Sequence, residues 1–154
     1  MAGLSSILQL RDNARTIREG IEGGLWLKEI VERNEAQICD MNSEEQLYEK
    51  GQNALGVDIM DYMPYRPLTI RIKTEKGQPT DRVTLRDTGD FHGSFYVEAN
   101  NDGFRIDAKD WKRDELVRKY GSQIFGLNDE NKNELAHEIM LPDLINKIRQ
   151  TLWQ

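Results

Sequence analysis

Apolar positions follow a helical rhythm at both ends of the chain and an alternating one in the middle. Near the start, Ile7, Leu10, Ala14, Ile17 and Ile21 recur at spacings of three and four, with Arg11, Asp12, Arg15 and Arg18 off that stripe. This predicts an amphipathic helix over residues 3–20, ended by Gly20, Gly23 and Gly24. A second helix is expected from Leu25 to Cys39, with Leu27, Ile30, Val31 and Ile38 on its apolar side; Trp26 and Leu25 extend that face or meet a neighbour. Ser43 with Gln46 three residues on has the form of a capping box, opening a helix that carries Leu47 and Tyr48 and fades at Gly51. Pro64 and Pro67 then exclude a continuous helix.

Alternation takes over at Leu68-Thr-Ile70-Arg-Ile72-Lys, which reads as a half-buried strand, with a turn at 76–80 and a returning strand over 82–85. A second alternating stretch, Ser94–Glu98, places Phe95 and Val97 on one face and Tyr96 and Glu98 on the other. Asn100-Asn-Asp-Gly103 tolerates positive φ, so a tight turn should lead into a strand over Phe104–Asp107. Helical texture returns at Asp110, a candidate N-cap, with Trp111, Leu116, Val117 and Tyr120 apolar and Gly121 as the stop. Asn128 or Asp129 begins another helix containing Leu135, Ala136 and Ile139. Pro142 breaks or kinks that helix and is tolerated as a first helical residue of the next. Leu141, Leu144, Ile145, Ile148 and Leu152 form the last apolar face, with Asp143 early and Lys147 and Arg149 late, in agreement with the helix dipole. The expected class is α+β: N-terminal helices, a small mainly antiparallel sheet with a long basic loop or hairpin, and C-terminal helices. The expected division is an N-terminal helical arm over residues 1–42 and a core domain over 43–154.

Composition adds limits. A chain of 154 residues can bury ~70% of its unfolded surface, so it needs no disulfide or metal staple. Apolar residues at 38% and charged residues at 31% suit a folded, soluble protein with a modest core. No apolar run approaches the ~20 residues of a membrane span, and the first residues lack the basic and apolar regions of a secretory signal. The single Cys39 cannot form an internal disulfide, which suits a reducing cytoplasm, and its place in a helical pattern suits a small core residue.

The net charge of −6 argues against a dedicated nucleic-acid binder. Yet residues 66–86 hold six basic side chains (Arg66, Arg71, Lys73, Lys76, Arg82, Arg86) against Glu75 and Asp81, a local +4 that leaves −10 elsewhere. Such a run is either a solvated face or a basic projection toward an acidic partner or passing DNA.

Candidate chemistry is sparse. His92 and His137 stand far apart without ligands at metal spacing; His137-Glu138 begins like a zincin helix, but position 141 is Leu141. A surface or capping role is expected for each. No nucleophile elbow, P-loop or dinucleotide fingerprint occurs. Asp87 and Asp90 precede Asp107-Ala-Lys109 across a hairpin, an order found in Mg²⁺-dependent nucleases, although the first two carboxylates also bracket a Thr-Gly turn and can bond their own backbone.

From Glu45 to Asp129 the phrases Gln46-Leu-Tyr-Glu-Lys-Gly51, Tyr62-Met-Pro-Tyr-Arg-Pro67, Lys76-Gly77 and Leu85-Arg-Asp-Thr-Gly89-Asp-Phe-His-Gly-Ser94-Phe95 occur in order. Lys119-Tyr-Gly121 and Ile124-Phe-Gly-Leu-Asn-Asp129 follow. Together they resemble the virion-morphogenesis proteins of tailed bacteriophages, the minor head-to-tail joining, neck or tail-completion proteins, over residues 44–154. The chain departs from that pattern near Tyr120, where many members carry a His-containing phrase.

The resemblance implies a structural, non-enzymatic subunit without cofactor or metal, assembled in the host cytoplasm into a homo-oligomeric ring at the head–tail junction of the virion. Its partners would be other connector and tail proteins, with non-specific contact to packaged DNA and no membrane. Arg66, Arg71, Lys73, Lys76, Arg82 and Arg86 are then expected at an inter-subunit or DNA-channel surface. Thr88 and Gly89 would form a sharp turn that delivers Phe91 and Phe95 to the core. A tail-assembly chaperone that leaves the particle and a Mg²⁺-dependent nuclease are the alternatives.

Overall fold

A computed structural model describes residues 2–154. The chain is α+β, mostly helical, with one two-stranded antiparallel sheet. It divides into two compact units: residues 2–34, 99–104 and 134–154 form one, and residues 35–98 and 105–133 the other. The compact pieces thus differ in outline from a 1–42 arm and a 43–154 core, because the N-terminal helices share a unit with the C-terminal one.

In the first unit, α1 (Ala2–Glu22), α2 (Leu25–Arg33) and α9 (Leu141–Leu152) pack together. Their interior holds Trp26, Ile30 and Val31. Trp26 therefore belongs to the apolar face, whereas Leu25 is exposed. Gly20 does not end α1. It lies within the helix because the Trp26 indole occupies the space a side chain would need: a Cβ there would stand 2.4 Å from Trp26 Nε1. Gly24 makes the turn, with φ 74° and the backbone of Asn101 pressed against it so closely that a Cβ would lie 1.9 Å from its carbonyl oxygen. The Lys147 ammonium lies 5.1 Å from the centre of the Trp26 ring and pairs with Glu29. Asn13 donates to the Leu152 carbonyl (3.3 Å), and Asn34 to Asp143 (3.0 Å). The first turns of α1 leave Leu4, Ile7, Leu8 and Leu10 exposed.

Pro142 does not interrupt the helical backbone, and its place at a helix start is as expected. It sits in the first turn of α9, after a π-helical stretch (Leu135–Met140), with Met140 and Leu141 both helical. The expected second helix is interrupted at Asn34, whose amide donates to the Ile30 carbonyl (2.8 Å) and ends α2; α3 (Glu35–Asp40) starts anew.

The second unit is built around Leu47, Ile59, Val83, Phe91, Ala108, Tyr120 and Ile124. From α3 the chain winds into a π-helical segment (Met41–Lys50) that buries Met41, Asn42, Ser43, Gln46 and Leu47. Ser43 is therefore not an N-cap. Its hydroxyl donates to the Cys39 carbonyl (2.9 Å) inside the helix, since burial of Ile38, Cys39 and Met41 keeps the preceding turn helical. Gly51, at φ 66°, ends the segment as expected.

After α4 (Ile59–Tyr62), the predicted strand over 68–73 is instead α5 (Pro67–Glu75). Arg66 is extended and Pro67 supplies the preset φ of a first helical residue. Three alternating aliphatics cannot separate a period of 2 from one of 3.6, and no partner strand exists among the described residues. The predicted return strand over 82–85 is irregular, because Leu85 takes φ 54°.

After a short α6 (Asp90–Gly93), the hairpin forms as read. β1 (Phe95–Ala99) pairs with β2 (Phe104–Ala108), and Asn100 Oδ1 accepts from the Asp102 and Gly103 amides. Asp110 accepts from the Lys112 amide (2.8 Å) ahead of α7 (Arg113–Tyr120), which leaves Trp111 outside the helix and 80% exposed. Asn128 caps α8 (Asp129–Glu134) by accepting from the Asn131 amide (2.9 Å).

Replacing Gly20 by Ala is expected to destabilise the protein. The helix-propensity gain of ~1 kcal/mol is outweighed by ~1–3 kcal/mol of overpacking against a rigid, buried indole. Equilibrium urea unfolding would register a lower midpoint, and an unchanged or higher one would contradict the packing described.

Candidate functional site

The basic segment is where sequence and resemblance both place function, and the fold gives its six cations different tasks. Arg82 Nε donates to the Tyr48 carbonyl (2.7 Å), and Arg82 also pairs with Asp81. Arg86 donates to both carboxylate oxygens of Glu44 (3.1 and 3.2 Å). Both guanidiniums lie over the Tyr48 ring, at 5.7 and 4.6 Å. These two arginines therefore clamp the irregular chain 82–86 to the Met41–Lys50 helix. Glu44 and Tyr48 share one helix side four residues apart, but nothing in the sequence links them to a segment about forty residues away.

Lys73 donates to the Arg86 carbonyl (3.1 Å) and to Gln78 (3.3 Å), with its ammonium 5.2 Å from the Tyr65 ring centre. Lys76 pairs with Asp87 (2.8 Å), which Gln78 also contacts. These bonds from Lys76 and Gln78 hold the Asp87 carboxyl below its usual range. Four of the six cations are thus bound internally. Arg71 makes only an exposed pair with Glu75 (3.2 Å), and Arg66 keeps an exposed side chain at the start of α5.

Beneath α5 lies a cavity of about 190 Å³, bordered by Tyr65, Lys73, Leu85, Phe91, Leu116 and Tyr120 among others. Leu85, with the single positive φ of a non-glycine residue among those described, forms part of its wall. Thr88 and Gly89 form the turn beside it. The Thr88 hydroxyl donates to Asp90 (2.8 Å), and Gly89 takes φ 94°. Phe91 is buried, and Phe95 meets it edge-on at 5.1 Å and is half-buried.

His92 is neither a surface nor a capping residue. It is 5% exposed, and neither ring nitrogen has a hydrogen-bond partner. Burial, with the Arg86 charge adding to it and the Thr84 backbone opposing it, lowers its pKa to about 4. Cys39 is buried as expected, and burial together with nearby Glu35 and Asp40 pushes its thiol up to about 11.

The nuclease-like order of acids does not gather into a site. Asp107 accepts from Arg113 Nε (2.8 Å), Arg113 Nη2 (3.1 Å) and the Ala108 amide (2.8 Å). Burial raises its pKa, but the Arg113 and Ala108 contacts outweigh that and hold it below the usual range. Asp90 is taken by Thr88, Asp87 by Lys76, and Lys109 lies over the Tyr96 ring. Among the described residues no group of three or more His, Cys, Asp or Glu side chains is placed to hold a metal ion, and no helix is long and apolar enough to cross a membrane. No protein-family model, curated protein or solved structure matches the chain.

His92 gives the fold a pH dependence. Its folded pKa lies below the unfolded value of 6.5, so between those values the unfolded chain binds the additional proton. Its contribution is complete above pH 6.5 and is lost as the pH falls to about 4, a change of about 3 kcal/mol. Urea unfolding from pH 7 to 4 should show the decline, and His92→Phe should flatten it across that window. An equally steep decline in the variant would assign it to other groups.

Proposed function

We propose that this chain is a structural virion protein of a tailed bacteriophage, one subunit of an oligomeric ring at the head-to-tail connector. It would join portal-side proteins to the tail and bound the DNA channel. The observation that carries this reading is the convergence of the residues in the resemblance. Leu47, Met63, Tyr65, Leu85, Phe91, Phe95, Tyr120, Ile124 and Phe125 come from phrases spread over residues 46–129, and all belong to the core of one unit or pack against it. Gly51, Gly89, Gly121 and Gly126 from the same phrases all adopt positive φ. The phrases thus supply packing and turn positions of one unit of this chain, which supports reading them as requirements of a subunit's shape.

A ring subunit needs two unlike surfaces that meet by rotation, and needs no reacting groups. Arg66 and Arg71 are the cations of the basic segment that remain directed outward, toward a neighbouring subunit or the DNA channel. The separate engagement of Asp87, Asp90 and Asp107 gives the nuclease alternative no geometric support.

Quantitative mass spectrometry of stringently purified particles, ratioed to the portal protein, tests the reading. A small fixed ratio is expected. Absence from particles together with abundance in infected cells would overturn it in favour of an assembly chaperone, for which the exposed Leu4, Ile7, Leu8 and Leu10 of α1 would be the surface to examine.

A further inference from the structure

Helix α5 is inside out. Its half-buried side is formed by Thr69 and Lys73, four residues apart, while Leu68 and Ile72, about a quarter-turn round the helix, are 67% and 43% exposed. Not one of its nine residues is buried. A helix held to its own unit through a threonine and a lysine, with Leu68 largely and Ile70 and Ile72 partly in water, lacks the partner that its sequence is built to meet. Arg71 stands beside those aliphatics, and Arg66 precedes the helix.

The same unit carries a second unpartnered apolar surface of opposite charge. Asn53 is 4% exposed, and its Oδ1 accepts from the Leu55 and Val57 amides (3.0 and 3.1 Å). The Ala54 amide donates to the Gln123 carbonyl (2.7 Å), and Ile59 is fully buried. This well-anchored loop holds Leu55 and Val57 outward at 68% and 42% exposure, flanked by the exposed carboxylates Asp58 and Asp61.

We infer that the α5 face of one copy of this chain docks on the Leu55–Tyr62 segment of a second copy, Leu68 and Ile72 against Leu55 and Val57, Arg71 toward Asp61. Charge selects the occupant. The outward cations beside these aliphatics are Arg66 and Arg71, and the exposed acids beside Leu55 and Val57 are Asp58 and Asp61, so each surface carries the counter-charge of the other. The two surfaces are unlike, so the contact is heterologous, the kind that closes a ring. The Arg71–Glu75 pair does not oppose this, because both side chains are largely in solvent and such a pair is weak. The inference rests on the ring reading for closure, but not for the contact itself.

Sedimentation velocity of the purified full chain over about 1–100 μM, a range that fills an interface of micromolar affinity, should show self-association. Arg71→Glu and Asp61→Arg should each weaken it by about tenfold. The two changes combined in one chain should restore it, and Leu68→Ser should weaken it without rescue. Circular dichroism and urea midpoints should stay unchanged, since none of these side chains is buried. A chain that stays monomeric, or an association indifferent to all four variants, overturns the inference. Rings of fixed mass that ignore the substitutions would keep the ring and discard this contact. A dimer that obeys the charge swap would keep the contact and discard the ring.

Discussion

The second unit depends on a set of buried amides that fasten one helix to one loop. Gln46 donates to the Gly126 carbonyl (2.9 Å) and accepts from the Asn128 amide (2.8 Å). Asn42 donates to the Ile124 carbonyl (3.1 Å) and accepts from the Gly126 amide (2.9 Å), while Asn131 donates to the Met41 carbonyl (3.0 Å). Each bond contributes only ~1 kcal/mol net, but an orphaned partner in this dry setting costs ~1–3 kcal/mol. The network is therefore worth more as a selector of register than as a source of stability. It admits one placement of the 124–131 loop against the Met41–Lys50 helix. That placement sets Ile124 beside Leu47 in the core and starts α8 at Asn128.

The basic segment shows a similar economy. Arg82 and Arg86 embrace the Tyr48 ring while satisfying the Tyr48 carbonyl and the Glu44 carboxylate, so an irregular stretch with few backbone bonds is held by guanidinium geometry. The extended path lets Val83 and Thr84 enter the core, where the Tyr65 hydroxyl accepts from the Thr84 amide (3.0 Å). Cations that read as a free surface run are, for the most part, the fasteners of a loop.

The sequence made the hairpin legible because its signals are local: alternation on both strands and an Asn100-led turn whose side chain bonds two of its own backbone amides. The cap at Asn128 and the stop at Gly121 were legible for the same reason, whereas α7 starts after Lys112, two residues beyond the Asp110 expected to cap it. α5 was not, because its aliphatics do not face its own core, and period-based reading assumes that they do. Ser43 misled because the capping-box pattern tests four residues, whereas burial of Ile38, Cys39 and Met41 decided the turn before them. At the candidate site, the Thr88-Gly89 turn and the burial of Phe91 could be read locally. The Glu44–Arg86 and Lys76–Asp87 partnerships required the fold, since ion pairs at such separations leave no periodic trace.

The interleaving of the two units has a consequence for how the chain matures. The stretch 35–133 supplies all of the second unit, with residues 99–104 of the first carried along within it. The first unit has to wait, since α1 is completed only when α9 arrives, and the Asn13–Leu152 bond spans 139 positions. During synthesis α1 and α2 emerge before the second unit, and the faces they turn to α9 stay uncovered until residues 141–152 have been made. Loop closure over that distance is entropically costly and slow to reward. Order of emergence thus becomes order of readiness: a nascent chain can complete the second unit while the first still lacks residues 134–154.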